Sequence, residues 1–261
     1  MSRLTASFAA AKEENRALLI GYLPSGFPTL ERSFSAISAM IEGGVDVIEV
    51  GLPYSDPVMD GPVIQRASEM ALANGSNTKS VFNTVAHSSV PTLVMSYWNP
   101  IERFGVSEFA SALKDVGGVG VITPDLTIEE SENWNSATDQ NSLHRIYVVA
   151  PSTSDERLSK VASNCSGFIY AASLMGVTGA RGDISSQAVS LVERIRKVTP
   201  TPICVGLGVS TGNQAREIAA FADGVIVGSA FIKLILDSNS ESEANLKVKS
   251  LAEELAAAVR R

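Results

Sequence analysis

The segment VIEVGLPYSDPVMDGPVIQRAS, residues 47–68, holds carboxylates in unusual company. Glu49 lies inside an apolar run, between Val47, Ile48 and Val50. Asp56 and Asp60 follow on a loop framed by Pro53, Pro57 and Pro62, whose rings fix φ and stiffen the chain. If residues 45–53 form a strand, alternation puts Val45, Val47 and Glu49 on one face and Ile48 and Val50 on the other. A carboxyl among apolar neighbours loses hydration and its pKa rises, so it can give and take a proton near neutrality. The plainer reading is a strand-end glutamate that pairs with a lysine or reaches water. Asp60 also has a plainer reading, because Asp-Gly-Pro is ordinary turn chemistry. Together, Glu49 and Asp60 are two carboxylates in different environments, the arrangement that separates acid from base roles.

The elements that must position them repeat along the chain. Short apolar segments rich in Val and Ile are expected as strands at 18–24, 45–53, 91–98, 118–125, 144–151, 167–173, 201–208 and 224–230. Such two-sided apolar runs are typical of parallel strands covered on both faces. Between them lie segments with helical spacing. One is TLERSFSAISAMIEGG, with Phe34, Ile37 and Ile41 on one stripe and a Gly-Gly stop; another is SSQAVSLVERIRKVTP, with Val189, Val192 and Ile195. Eight strands alternating with helices in 261 residues predict a closed (β/α)8 TIM barrel spanning 1–261 as a single domain. The N-terminal stretch adds an extra amphipathic helix, with Leu4, Phe8 and Ala11 on one side. An open doubly wound sheet would carry a Gly-rich fingerprint after its first strand, and YLPSGFP is not one. In a barrel, sites form at the C-terminal ends of the strands, which is where Glu49 falls.

Composition narrows the chemistry. Hydrophobic residues make up 45% and charged residues 19%, an ordinary globular balance. Net charge is −7 without a basic cluster, which argues against a nucleic-acid partner. No apolar run is long enough to span a membrane, and the N-terminus does not read as a signal peptide. Cys165 and Cys204 carry no pairing signal, and a reducing cytoplasm is the simplest location. His87 and His144 stand apart, with no metal-ligand spacing, so no metal site is expected.

An anion would have to be held by local groups against the acidic balance. Gly-bearing segments follow three strands: MGVTGARGD, VGLGVSTGNQ and VGSAFIKLIL. The loops after strands seven and eight of a barrel commonly bind phosphate. Gly206, Gly208 and Gly228 let the backbone approach closely, and Ser229 is expected to cap a helix whose first N–H groups face the anion. The alternative is that these glycines only make tight turns.

The same residues resemble a known family. IEVGLPYSDPVMDGPVIQRAS resembles the signature of the tryptophan synthase alpha subunit. The likeness continues in order through NPIERFG, PDLTIEE, VAPSTSDERL, GFIYAASLMGVTGARG, VGLGVS and VGSAFIK, covering essentially the whole chain. The resemblance implies a lyase that cleaves indole-3-glycerol phosphate to indole and glyceraldehyde 3-phosphate in L-tryptophan biosynthesis. It implies that Glu49 shuttles protons and that Asp60 accepts from the indole N–H. Tyr170 would position Glu49 and substrate, and Thr178 would meet Asp60 in a closing lid. Gly179, Gly208, Gly228 and Ser229 would hold phosphate, with Gly206 beside them. Tyr22, Val94, Ile122 and Leu207 would line the indole slot. The family's partner is a beta subunit in an alpha2-beta2 complex, which carries pyridoxal phosphate, whereas the alpha subunit needs no cofactor. Asp56, Asn99 and Pro100 would face that partner. Three departures stand out: Gly21 where the family has proline, a shorter run before strand three, and Trp98 with the SLM segment. Rival enzymes on this fold would use a strand-end lysine or metal-binding histidines. Lys233 falls within an expected helix, His87 precedes the strand at 91–98 and His144 begins the one at 144–151, so both histidines fall at the pole away from the strand ends. A non-catalytic regulatory barrel is the rival of another class, and retention of Glu49 and Asp60 argues against it.

Overall fold

The computed structural model of the chain describes residues 1–172, 181–206 and 208–261. Its parallel strands are β1 Leu18–Pro24, β2 Val47–Gly51, β3 Thr92–Met95, β4 Gly120–Ile122, β5 His144–Ile146, β6 Val148–Val149, β7 Ile169–Ala172, β8 Ile203–Gly206 and β9 Gly224–Val227. They form one sheet in the order β5-β4-β3-β2-β1-β9-β8-β7-β6. Only Tyr147 separates β5 from β6, so these two pieces are one barrel stave. β5 pairs with β4 and β6 with β7. The Tyr147 carbonyl accepts from the Tyr170 amide at 3.2 Å, and the Arg145 carbonyl accepts from the Ser166 amide at 2.9 Å, which closes the ring. The fold is an α/β TIM barrel of eight staves.

Strand alternation divides the core in two. Leu18, Ile20, Val47, Leu93, Ile146, Cys204 and Ile226 belong to the cluster inside the barrel. The N-terminal helix Arg3–Glu13 plugs its floor with Leu4 and Ala11, while Phe8 lies 6.1 Å from Phe168 between ring centroids. Leu19, Ile48, Val121, Val205 and Val225 lie in the outer cluster between barrel and helices. Each such side chain stabilises the fold by about 1.5–3 kcal/mol through burial.

The helix Leu30–Glu42 is capped by the Thr29 hydroxyl, which accepts from the Arg32 amide at 3.3 Å, and it stops at Gly43. The shortened run before β3 folds as the ten-residue helix Thr78–His87, opened by a capping box between Asn77 and Ser80. β1 is buried along its whole length. A Cβ on Gly21 would stand 3.2 Å from Met40 Sδ and from Val45 Cγ1, so those side chains pack directly on the glycine. The expected strands ran past the observed C-terminal ends: 45–53 stops at Gly51, 118–125 at Ile122 and 224–230 at Val227. The surplus residues leave the sheet to build the rim. Pro53 and Pro124, which have no N–H for a ladder, mark two of these exits.

Candidate active site

Glu49 lies opposite Tyr22 of β1 and Leu93 of β3 in the parallel register, on the inward face near the mouth. It is 1% exposed, and its Oε2 has no hydrogen-bond partner among the described residues. Burial, with the charge of Asp60 adding to it, pushes the carboxyl up to about 8. At neutral pH Glu49 therefore holds its proton. The strand delivers a carboxylic acid rather than a carboxylate, as its apolar surroundings predict.

Asp60 comes from the loop between β2 and the helix Pro62–Ala73, which starts with proline in its first turn. The Asp60 carbonyl accepts from Gln65 Nε2 at 2.8 Å. Burial raises the Asp60 carboxyl, while a hydrogen bond from the Tyr97 hydroxyl works in the opposite direction. That hydroxyl also accepts from the Met59 amide at 3.0 Å, and the Tyr97 ring lies 5.4 Å from Tyr54. Burial is the main reason that the Tyr97 phenol is pushed up to about 12. Tyr97 therefore ties the Asp60 loop to the end of β3. Sequence reasoning missed it; a buried phenol just past a strand end was the available signal.

Tyr22 and Tyr170 rise from β1 and β7 into the mouth. Both phenols are held well above their usual range, by burial first; Asp60 is the next contributor for Tyr22, and Glu49 for Tyr170. Glycines make room for them. A Cβ on Gly51 would collide with the Tyr22 hydroxyl, one on Gly228 would meet the Tyr22 ring, and one on Gly206 would collide with the Tyr170 hydroxyl. The lack of a side chain at Gly206 thus serves Tyr170 directly.

The remaining expected residues divide. Ile122 faces inward, in register with Met95. Val94 does not share that face. It lies in register with Val50 and Val121, alternating with Leu93 and Met95, so the inward position at the top of β3 belongs to Met95. The expectation of Val94 in the slot is corrected by strand alternation. Ser229 is likewise not the cap. Gly228 is the half-in residue, without a side-chain cap, and Ser229 is the first residue of the helix Ser229–Leu236. That start leaves amide donors with no side-chain acceptor, an arrangement suited to an anion. Gly208 has φ +64°, which glycine adopts freely. Thr178, Gly179 and Leu207 lie outside the described residues. Asp56 and Asn99 are exposed and Pro100 is half-buried. Val58 and Met59, on the Asp56 loop, are also exposed, at 78% and 49%.

Other chemistries find little support among the described residues. No group of three or more His, Cys, Asp and Glu is arranged to hold a metal. His87 stacks on Phe34 at 4.5 Å, and His144 meets the Ser2 hydroxyl at 2.7 Å beside the floor helix. Lys233 is exposed on its helix. Among the described residues, no helix is long and apolar enough to cross a membrane.

A family model described as tryptophan synthase alpha chain matches residues 8–260. The tryptophan synthase alpha chain of Thermobifida fusca is 53% identical, over 100% of this chain and 98% of its own. That of Streptomyces avermitilis is 52% identical, over 98% and 94%. Among solved structures, tryptophan synthase from M. tuberculosis in its aminoacrylate-bound form has a chain 43% identical, with TM-score 0.91 and complete coverage of both chains. Tryptophan synthase subunit alpha from Legionella pneumophila is 30% identical with TM-score 0.89, covering 99% of this chain and 98% of that one.

Proposed function

Because the chain belongs to the tryptophan synthase alpha chain family, we propose that Glu49 and Asp60 carry out the family's lyase reaction at this barrel mouth. That reaction cleaves indole-3-glycerol phosphate to indole and glyceraldehyde 3-phosphate in tryptophan biosynthesis. Glu49, protonated at neutral pH, gives its proton to indole C3. Positive charge then develops on the ring nitrogen, where the Asp60 carboxylate accepts the N–H and stabilises it. The Glu49 carboxylate next takes the proton of the carbinol hydroxyl. The carbon–carbon bond breaks, its electrons restore the indole ring, and the aldehyde forms. One proton is given and one taken, so Glu49 ends as it began.

The observation that carries this reading is a buried, neutral Glu49 whose Oε2 has no hydrogen-bond partner among the described residues, beside a second carboxyl in the same mouth. Tyr97 would hold Asp60 in place, and Tyr170 would position substrate against Glu49. Met95 and Ile122 would form the apolar wall against indole. Phosphate would sit on the amides at Gly228 and Ser229, with Gly208 and the residues Thr178, Gly179 and Leu207 completing the site. This subunit would need no cofactor. The family works with a beta subunit. We place Asp56, Asn99 and Pro100 on the face toward it, in an alpha2-beta2 assembly whose pyridoxal phosphate belongs to the partner. The cytoplasm is the proposed location, and residues 1–261 the single catalytic domain.

The test is Glu49→Gln, assayed by indole release and by substrate binding. General acid–base catalysis is worth about 10²–10⁴-fold, so cleavage should fall at least that far while binding persists. A variant that keeps a third of the wild-type turnover would overturn the assignment.

A further inference from the structure

Tyr22 has a polar atom that the mechanism above does not use. The residue is 6% exposed, and no hydrogen bond joins its hydroxyl to any described residue. The hydroxyl is not a sealed core atom either, because the buried, unpartnered polar atoms are those of Glu49, Thr123 and Trp134 among the described residues. It therefore opens onto the mouth. The side chain has a defined course. Its root lies against Gly228, at the start of the helix that offers free amides, and its tip lies over Gly51, two residues beyond Glu49 on β2. The glycines on both sides leave room for the phenol in this position. The ring thus runs from the anion end of the site to the proton-transfer end.

We propose that the Tyr22 hydroxyl is a specificity-determining group that hydrogen-bonds an oxygen of the glycerol chain joining indole to phosphate. The inference rests on the proposed reading of the site. A ligand anchored by phosphate near Gly228 and by its reacting carbon near Glu49 must lay its linking chain alongside this ring. The linker's oxygens are the polar atoms available to a phenol there, since Glu49 and Asp60 are committed to the carbinol proton and the indole nitrogen. An apolar linker would leave the hydroxyl without a partner once water is displaced, so the site would discriminate against it.

The experiment deletes each side of this contact in turn. Binding is measured by calorimetry in the Glu49→Gln background, which prevents turnover. One ligand is indole-3-glycerol phosphate, and the other is 3-(indol-3-yl)propyl phosphate, which has the same length without the two hydroxyls. Tyr22→Phe keeps the ring and removes the oxygen. It should weaken the glycerol ligand roughly three- to tenfold, the size of one neutral hydrogen bond. It should leave the propyl ligand unchanged within about twofold, because that ligand has no linker oxygen to lose. Comparing both ligands on the chain that retains Tyr22 tests the contact without altering the protein. Equal weakening of both ligands by Tyr22→Phe, or no weakening of either, overturns the proposal. If the Glu49→Gln chain that keeps Tyr22 binds neither ligand, the reading of the site itself fails and the Tyr22 contact with it.

Discussion

Glu49 links catalysis to stability through its proton. An unfolded chain releases the glutamate proton near 4.5, whereas the folded chain keeps it to about 8. Between those values the native state binds more protons than the unfolded state, so stability falls as pH rises. The slope for one such group is at most about 1.4 kcal/mol per pH unit. Glu49→Gln removes this titration. Urea melts across pH 5 to about 8 should show the variant gaining on the wild type with rising pH and then levelling off. A constant difference across that range would mean that Glu49 is not the buried acid described here. Asp60 is raised less simply, since Tyr97 supports its anionic form against burial. Tyr97→Phe should therefore lower cleavage with a smaller effect on substrate affinity, and move the acid limb of the rate profile to higher pH. A change in KM alone would place Tyr97 among the purely structural residues.

At the scale of elements, the strand ends decide which backbone atoms line the mouth. The helix Ser229–Leu236 begins without a side-chain cap, so its amides rather than the Ser229 hydroxyl dominate the proposed anion site. Ser229→Ala should weaken phosphate-bearing ligands by about 1–2 kcal/mol, the cost of one hydrogen bond. Gly208→Val should be much worse, because valine resists φ +64° and the backbone of the proposed anion site would have to shift. Ligand titrations that give equal, small effects for both variants would put phosphate elsewhere. The register of β3 matters in the same way. Met95 and Val94 are adjacent, but alternation assigns only Met95 to the Glu49 side.

For the whole molecule, the Asp60 loop joins two surfaces. Asp60 and the amide of Met59 are tied to Tyr97, while Asp56 and Val58 on the same loop are exposed. The backbone next to Tyr97 opens the helix Trp98–Phe104, whose Trp98 amide is fixed by Asp125 at 2.9 and 3.1 Å and which carries Asn99 and Pro100. A beta subunit seated on this face would bias the loop by its differential affinity for the competent arrangement. A coupling of about 1–3 kcal/mol corresponds to roughly 5- to 150-fold. Asp56→Ala should lose much of the activation by the partner and leave the slow rate of the isolated chain nearly unchanged, whereas Asp60→Asn should lose both. Indole release measured with and without the partner separates these outcomes. A basal rate cut as deeply by Asp56→Ala as by Asp60→Asn would assign Asp56 to the chemistry instead.

The barrel was legible in the sequence because its signals are local: two-sided apolar strands, helical stripes and punctuating glycines need only neighbours along the chain. β1 has the bounds of its apolar run, and the N-terminal helix packs the side that carries Leu4, Phe8 and Ala11, as their spacing predicts. The proximity of Glu49 and Asp60 to one mouth also followed, since one lies at a strand end and the other on the loop that leaves it. What tertiary structure alone decided depends on neighbours across the sheet. Register made Met95 rather than Val94 the inward residue, and pairing divided the expected strand 144–151 into β5, which pairs with β4, and β6, which pairs with β7. The turn at Gly228 placed Ser229 inside its helix, and packing across the mouth set the Tyr97 hydroxyl against the Asp60 loop and Tyr22 over Gly51. A sequence fixes which side chains alternate along one strand, but only hydrogen-bonded pairing fixes which strands stand beside each other and at what height. The pKa of Glu49 depends on both: the apolar run supplies part of the burial, and the assembled barrel supplies the rest, together with the charge of Asp60.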